Sequence, residues 1–173
     1  LFDRVSVYSR FGATIAHELA HSIDAVGILF DTTGTYNPWL SPEAAGLYAN
    51  RRRCLIDVYT APTPFGNTHD GKKTLNENIA DLIGFSVAYR AFMDDVGSEA
   101  SVQDQRDFFL SYSQMYCEAM NRMQEMALIA RRSHSLNSFR VNNVVTQHPT
   151  FDTLWECNRY DRGNHLKNTC SLN

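Results

Sequence analysis

Apolar side chains recur at a helical period along most of this chain and almost nowhere at the two-residue period of a strand. From about residue 12 to residue 23, Ile15, Leu19, Ala20 and Ile23 fall at spacings that place them along a helix. Gly27 and Asp31-Thr32-Thr33-Gly34 then read as loop. Ser41-Pro42-Glu43 is a helix start, with a hydroxyl N-cap, proline at the first helical position and an acid in the first turn. The pattern predicts helix from there to about Tyr59. Residues 61–73, APTPFGNTHDGKK, carry two prolines and two glycines and read as loop. Thr74 is placed to cap a helix reaching about Asp94, and further helices are predicted over about 101–121 and 123–131. Residues 139–145 predict a short extended stretch, followed by a last helix near 149–157 and a polar, irregular tail from Arg159. No repeat or low-complexity tract interrupts this order. The expectation is a mainly α chain.

Composition narrows the class. The 173 residues include 16 Lys plus Arg against 19 Asp plus Glu, a net charge of −3, which excludes a broad electrostatic claim on nucleic acid or anionic membrane. With 43% hydrophobic and 12% aromatic residues the chain can bury a core and is not disordered. No apolar run is long enough to span a membrane, so no membrane contact is expected from this segment. Cys54, Cys117, Cys157 and Cys170 stand far apart with no CxxC pair, which argues against a zinc ribbon or a thioredoxin-like site. Two disulfides or four free thiols remain open on composition alone. The chain starts at Leu1 without a leader-like segment, and is expected to be a piece of something longer.

The chemistry concentrates in His17-Glu18-Leu19-Ala20-His21. A spacing of four puts both imidazoles on one helix face, so their ring nitrogens can converge on one metal ion, with Glu18 on the flank. The alternative is a helix with two surface histidines and a solvated glutamate. It fits poorly, because Ile15, Ala16, Leu19, Ala20 and Ile23 make this helix apolar almost all round, and a buried charge needs a partner. A metzincin-type third histidine is excluded, since Asp24 and Gly27 occupy the positions that pattern requires. A thermolysin-like third ligand, a glutamate roughly twenty residues downstream, could only be Glu43, which is better explained as a first-turn acid satisfying the helix dipole. In Glu77-Asn78-Ile79-Ala80-Asp81, two carboxylates one turn apart share a face, so one can bind a metal while the other accepts a ring N–H from a ligating histidine. Thr74-x-x-Glu77 is equally a capping box, and spacing alone leaves both readings open.

HELAHSID followed some fifty residues later by TLNENIADLIGFSVAYRAF resembles the neprilysin-like zinc metallopeptidases, whose pattern is HExxHxxD and then ENxAD. Phe108-Phe109-Leu110 through Gln114-Met115-Tyr116-Cys117 resembles that family's FFxxxAQxWC segment. His134-Ser135 through Phe139-Arg140-Val141-Asn142 resembles its HSPxxxRVN segment, and Phe151 to Cys157 its final Phe-to-Cys stretch. The resemblance covers nearly the whole chain, with the motifs in the family's order.

The resemblance implies a gluzincin-type helical catalytic lobe, of which residues 1–173 are the C-terminal part. It implies one Zn2+ held by His17, His21 and Glu77, with Glu18 as general base; three protein ligands leave the open position of a catalytic site. Asp24 and Asp81 are implied as partners of the ligating histidines, Asp81 also as part of the catalytic machinery. His134 is implied as hydrogen-bond donor to the oxyanion, and Arg140 as the grip on a substrate carbonyl. Tyr116 stands where the family has tryptophan beside its specificity pocket, and Leu136-Asn137 replaces the family's Pro-Gly.

The function so implied is a zinc endopeptidase hydrolysing extracellular peptides on the N-terminal side of hydrophobic residues, secreted or in the ectodomain of a membrane-anchored protein. The alternative is a catalytically silent relative that binds peptides or partners. A structural zinc site would need a fourth ligand, and no spare Cys or His has suitable spacing. The family's N-terminal lobe and its substrate-binding edge strand are expected to be absent, leaving the isolated piece weakly active or inactive. By the same resemblance Cys54 pairs with Cys170, while Cys117 and Cys157 pair with the missing lobe. His69, His148 and His165 read as solvated.

Overall fold

The computed structural model describes residues 3–157 and Cys170. Among these residues the chain is helical without strands, and its only ladder pairings are two isolated antiparallel bridges, Phe30 to Tyr36 and Pro62 to Thr68. The first helix is longer than periodicity predicts. It runs through a short α1 (Arg4–Ser6), a π-helical Val7–Gly12, α2 (Ala13–Ala20) and a 3₁₀ turn, His21–Ile23. Then come α3 (Pro42–Tyr59), α4 (Leu75–Val96), α5 (Val102–Gln114), α6 (Arg122–Arg131), α7 (Asn137–Gln147) and α8 (Phe151–Leu154).

The starts follow local chemistry. Ser41 Oγ accepts from the Ala44 amide, as the Ser-Pro-Glu signal predicts. Capping boxes open α5, between Ser101 and Asp104, and α6, between Asn121 and Gln124. Thr74 makes no such cap: its hydroxyl donates to the Asp70 carbonyl and accepts from Asn78 Nδ2. The capping-box reading of Glu77 therefore fails, and its carboxylate is free for other work.

α4 is the hub. α2 lies along its first half, and α3, α5 and α7 surround it, enclosing a core of Leu55, Tyr59, Ile79, Phe85, Phe92, Phe108, Phe109 and Tyr112. α2 buries only Ala13, Ala16, His17 and Ala20 against α4, while Ile15 is 45% and Leu19 69% exposed. The helix expected to be sheltered all round is sheltered on one small-residue face, which brings the two backbones close.

Other expectations change for identifiable reasons. Residues 139–145, expected to be extended, lie within α7. Leu136, Phe139, Arg140 and Val144 share one helical face, and burying it outweighs the β preference of the valines. α5 stops at Gln114, short of the expected 121, because Met115, Tyr116 and Cys117 tighten into i→i−3 bonds before Asn121 caps α6. The last helix is a single turn. His69 is buried, not solvated: its Nδ1 lies 2.7 Å from the Tyr59 carbonyl and its ring stacks on Phe139 at 4.5 Å. His148 packs edge-on to Phe85, Tyr89 and Phe109. His165 lies outside the described residues. The buried Glu125 accepts from Thr63 and Asn67, fastening the 61–69 loop to α6.

Candidate metal centre

The His-Glu-x-x-His helix and α4 cross where both present polar groups. His17, at 8% exposed, points from α2 between Glu77 and Asp81. Its Nδ1 lies 2.8 Å from Asp81 Oδ1, and its Nε2 3.3 Å from Glu77 Oε2. His21 repeats the arrangement one turn on, with Nδ1 2.8 Å from Asp24 Oδ2 and Nε2 3.6 Å from Glu77 Oε2. The two rings meet edge to face. His134, from the segment between α6 and α7, places Nε2 3.0 Å from the same Glu77 oxygen. His17, Glu77 and His134 each offer an atom within 4.8 Å of the other two. The trio brought tightest together thus contains His134, while His21 faces the same oxygen from slightly farther away.

This donor set fits a divalent cation. Glu77 Oε2 is buried and accepts no hydrogen bond of good geometry, although three ring nitrogens approach it. With carboxylates behind Nδ1 of His17 and His21, the proton belongs there, and the Nε2 lone pairs aim at an anionic oxygen. Lone pairs directed at a carboxylate repel it unless a proton or metal ion lies between them. Two imidazoles and a carboxylate, each imidazole braced by an outer carboxylate, match what Zn2+ takes at an open, three-ligand site.

The surroundings tune the charges. Burial lowers the pKa of His17, but the Asp81 carboxylate outweighs it and the net shift is upward. Asp81 is 3% exposed, and burial raises its pKa; hydrogen bonds from Arg140, with the His17 ring close by, reverse that and hold it below the usual carboxylate range. Burial lowers the pKa of His134 despite the pull of Glu77. Arg140 donates Nε to Asp81 Oδ2 at 2.7 Å and Nη2 to Oδ1 at 2.6 Å, and its guanidinium lies 4.6 Å from the Tyr116 ring centroid. The substrate grip implied for Arg140 therefore has only its outer edge to use, since two donors serve Asp81. Glu18 is exposed at the rim. A cavity of about 260 Å³ opens beside it, lined by Ala13, Thr14, Met115, Tyr116, His134 and Arg140.

Sequence reasoning missed a buried relay that fixes His134. Ser135 Oγ donates to Asn78 Oδ1 at 2.5 Å, and Asn78 Nδ2 donates to Thr74 Oγ1 at 2.9 Å. Lys73 Nζ donates to the Ile129 and Ala130 carbonyls at the end of α6. The start of α4 thus grips both flanks of the segment carrying His134. The available signal was Asn78, fully buried between Glu77 and Asp81. Leu136, in place of the family proline, is buried and precedes α7, so the loop keeps its anchor. Cys54 and Cys170 form the expected disulfide, with Cα atoms 5.7 Å apart; Cys117 and Cys157 are free thiols.

Comparison with known proteins places the chain among relatives. Peptidase family M13 matches residues 1–172. The chain is 30% identical over 168 residues to Neprilysin-1 of Caenorhabditis elegans, covering 90% of this chain and 22% of that protein. It is 27% identical over 158 residues to human Endothelin-converting enzyme 1, covering 87% of this chain and 20% of the relative. The zinc metalloprotease Zmp1 of Mycobacterium tuberculosis, solved with an inhibitor, superposes with a TM-score of 0.86 at 26% identity, over 99% of this chain and 27% of its own. The chain therefore spans about a fifth of the length of these curated relatives.

Proposed function

The chain belongs to peptidase family M13, and on that premise we propose that it is the zinc-binding, proton-transferring C-terminal part of an endopeptidase acting on extracellular peptides. The family is one of metallopeptidases; the substrate, the compartment and the roles of individual residues are our reading. One observation carries it: two imidazoles, each backed by an aspartate at Nδ1, turn Nε2 toward one buried carboxylate oxygen.

In this reading His17, His21 and Glu77 hold the ion. Zinc, when bound, supplies Lewis acidity toward a carbonyl and lowers the pKa of water. Glu18, solvent-facing at the rim, takes the proton from the attacking water as the new C–O bond forms. It then delivers that proton to the amine nitrogen as the C–N bond breaks. His134 donates Nε2–H to the carbonyl oxygen as negative charge builds there, an interaction worth on the order of 3 kcal/mol in comparable sites. Asp24 and Asp81 keep the Nδ1 protons of His21 and His17 in place, and Arg140, braced by Asp81, turns its remaining N–H edge to the substrate backbone.

The preference for a hydrophobic residue after the scissile bond comes from the family resemblance; in the cavity beside Tyr116, Ala13, Met115 and the Tyr116 ring offer apolar surface among the polar groups of Thr14, Glu18, His134 and Arg140. The Cys54–Cys170 bond supports an oxidising, extracellular setting, and no described helix is long and apolar enough to cross a membrane. Val7, Phe11, Ile15 and Leu19 leave an exposed apolar stripe along the first helix. That stripe supports a larger catalytic domain in which an N-terminal lobe covers it and pairs with Cys117 and Cys157.

The test uses the full-length natural protein containing this chain: peptide hydrolysis and zinc content, with and without Glu18→Gln. The expected result is zinc retained and turnover reduced by about 10²–10⁴-fold. Turnover that survives the substitution overturns the proton role of Glu18. Zinc bound by a parent protein that cleaves no peptide establishes the silent alternative.

A further inference from the structure

Each histidine backed by an aspartate has a glycine behind that aspartate, three residues later: Asp24-Ala25-Val26-Gly27 and Asp81-Leu82-Ile83-Gly84. Each glycine lies against the backbone of the histidine that its own aspartate serves. A Cβ on Gly27 would stand 1.9 Å from the His21 carbonyl oxygen, and one on Gly84 would stand 2.8 Å from the His17 nitrogen and 2.9 Å from its Cα. Ordinary contact begins at 3.4 Å, so the helices would have to separate by at least 0.6 Å (3.4 minus 2.8) at Gly84, and the turn at Gly27 by more. The atoms met are backbone, so no rotamer change relieves the clash. Neither glycine has a positive φ, which makes the requirement one of space and not of conformation. Not every glycine is so placed: a Cβ on Gly46 meets nothing within 4 Å, and one on Gly12 meets only ordinary contacts from 3.5 Å. Gly71 is as crowded, 2.3 Å from the Ile56 carbonyl oxygen, but it packs on the end of α3 and touches no histidine.

We infer that Gly27 and Gly84 are positioning residues, each letting the segment that carries an aspartate close onto the backbone of its histidine. At Gly27 the closure is a tight turn, in which Asp24 Oδ1 accepts the Val26 and Gly27 N–H groups, both at 2.8 Å, and Oδ2 is turned to His21. At Gly84 it is the approach of two helices, which brings Asp81, one turn earlier on α4, to His17. Two unrelated backbone arrangements thus meet one demand, a carboxylate held at Nδ1. The consequence for metal binding rests on the proposed function; the geometry does not.

The test reads the imidazole ¹⁵N resonances of the metal-free protein, which report for each histidine where the ring proton sits and whether a carboxylate holds it. Gly27→Ala is expected to disturb His21 and spare His17; Gly84→Ala is expected to do the reverse. Gly46→Ala should change neither. Gly84 is in the core, so its variant is measured in trimethylamine N-oxide, which favours the folded state; Gly27 is in a half-exposed turn and gives an arm independent of the core. A folded variant that leaves both histidines unchanged, or disturbs both alike, overturns the inference. Co2+ titration gives the second readout: each alanine variant should bind about 10–100-fold more weakly, as when an outer-shell partner is lost, with an altered d–d spectrum. Equal binding by parent and both variants overturns it too. A parent that binds no Co2+ overturns the proposed function instead, and the imidazole spectra still decide the role of the glycines.

Discussion

The two halves of α4 do opposite work with the same backbone. Its first turns carry Glu77, Asn78 and Asp81 against the histidines; its later turns carry Phe85, Tyr89 and Phe92 into a cluster with Phe108, Phe109 and Tyr112. His17 lies against the first half and His148 against the second, and these two shift in opposite directions, while the less enclosed His134 beside Glu77 is pushed down by burial. Among the carboxylates, His17 is pushed up; among the aromatic rings, burial pushes His148 down to about 4. Burial lowers both, and only His17 has an aspartate close enough to win. One half is built to hold charge, the other to exclude water. The first should set metal affinity and the second stability, nearly independently.

That separation can be broken, most forcefully at Phe85. Phe85→Ala removes a 1% exposed ring and should cost about 3–5 kcal/mol in denaturant unfolding. Co2+ affinity of the variant that remains folded should stay at the parental value; a parallel loss of affinity would mean the halves are coupled. The converse substitution, Glu77→Gln, should weaken Co2+ binding by at least ~100-fold, beyond the usual loss of an outer-shell partner. Unfolding of the metal-free variant gives the control that the fold is kept.

His148 sharpens the comparison through pH. Unfolded, it takes a proton near 6.5, but folded only near 4. Between those values the unfolded chain binds more protons, so stability falls as the pH drops through that window. After allowance for partial solvent screening the loss is about 1–3 kcal/mol. Unfolding curves of His148→Phe should show that acid slope flattened, with metal binding at neutral pH untouched. The smallest effect is expected at Gly46→Ala, in an exposed stretch of α3. It should gain about 0.5–1 kcal/mol from helix propensity and change nothing at the metal centre.

Much of this protein is legible in its amino-acid sequence alone. His17, Glu18 and His21 share a short stretch of chain, and a helix of fixed pitch leaves no choice about which face they occupy. The same holds for Glu77 and Asp81, and for the cap at Ser41. The failures have a common cause. Residues 139–145 read as extended because valine prefers strands locally, yet Phe139, Arg140 and Val144 are useful only on one helical face. His69 reads as solvated from its place in a loop of glycines and prolines, and His148 from its place before Pro149 at a helix start, while the groups that enclose them, Phe139, Phe85 and Phe109, are remote in the chain.

The sequence by itself determined which residues could act together within one helix, because spacing and helical period are local properties. It determined the family as well, through motifs of that local kind. Only the tertiary structure decided that Glu77 turns from a possible cap into the oxygen shared by three imidazoles, and that Asp81 divides itself between His17 and Arg140. It also decided that Gly27 and Gly84 must lack a side chain. Those facts depend on how closely two backbones approach, and that distance is set by packing across the whole core.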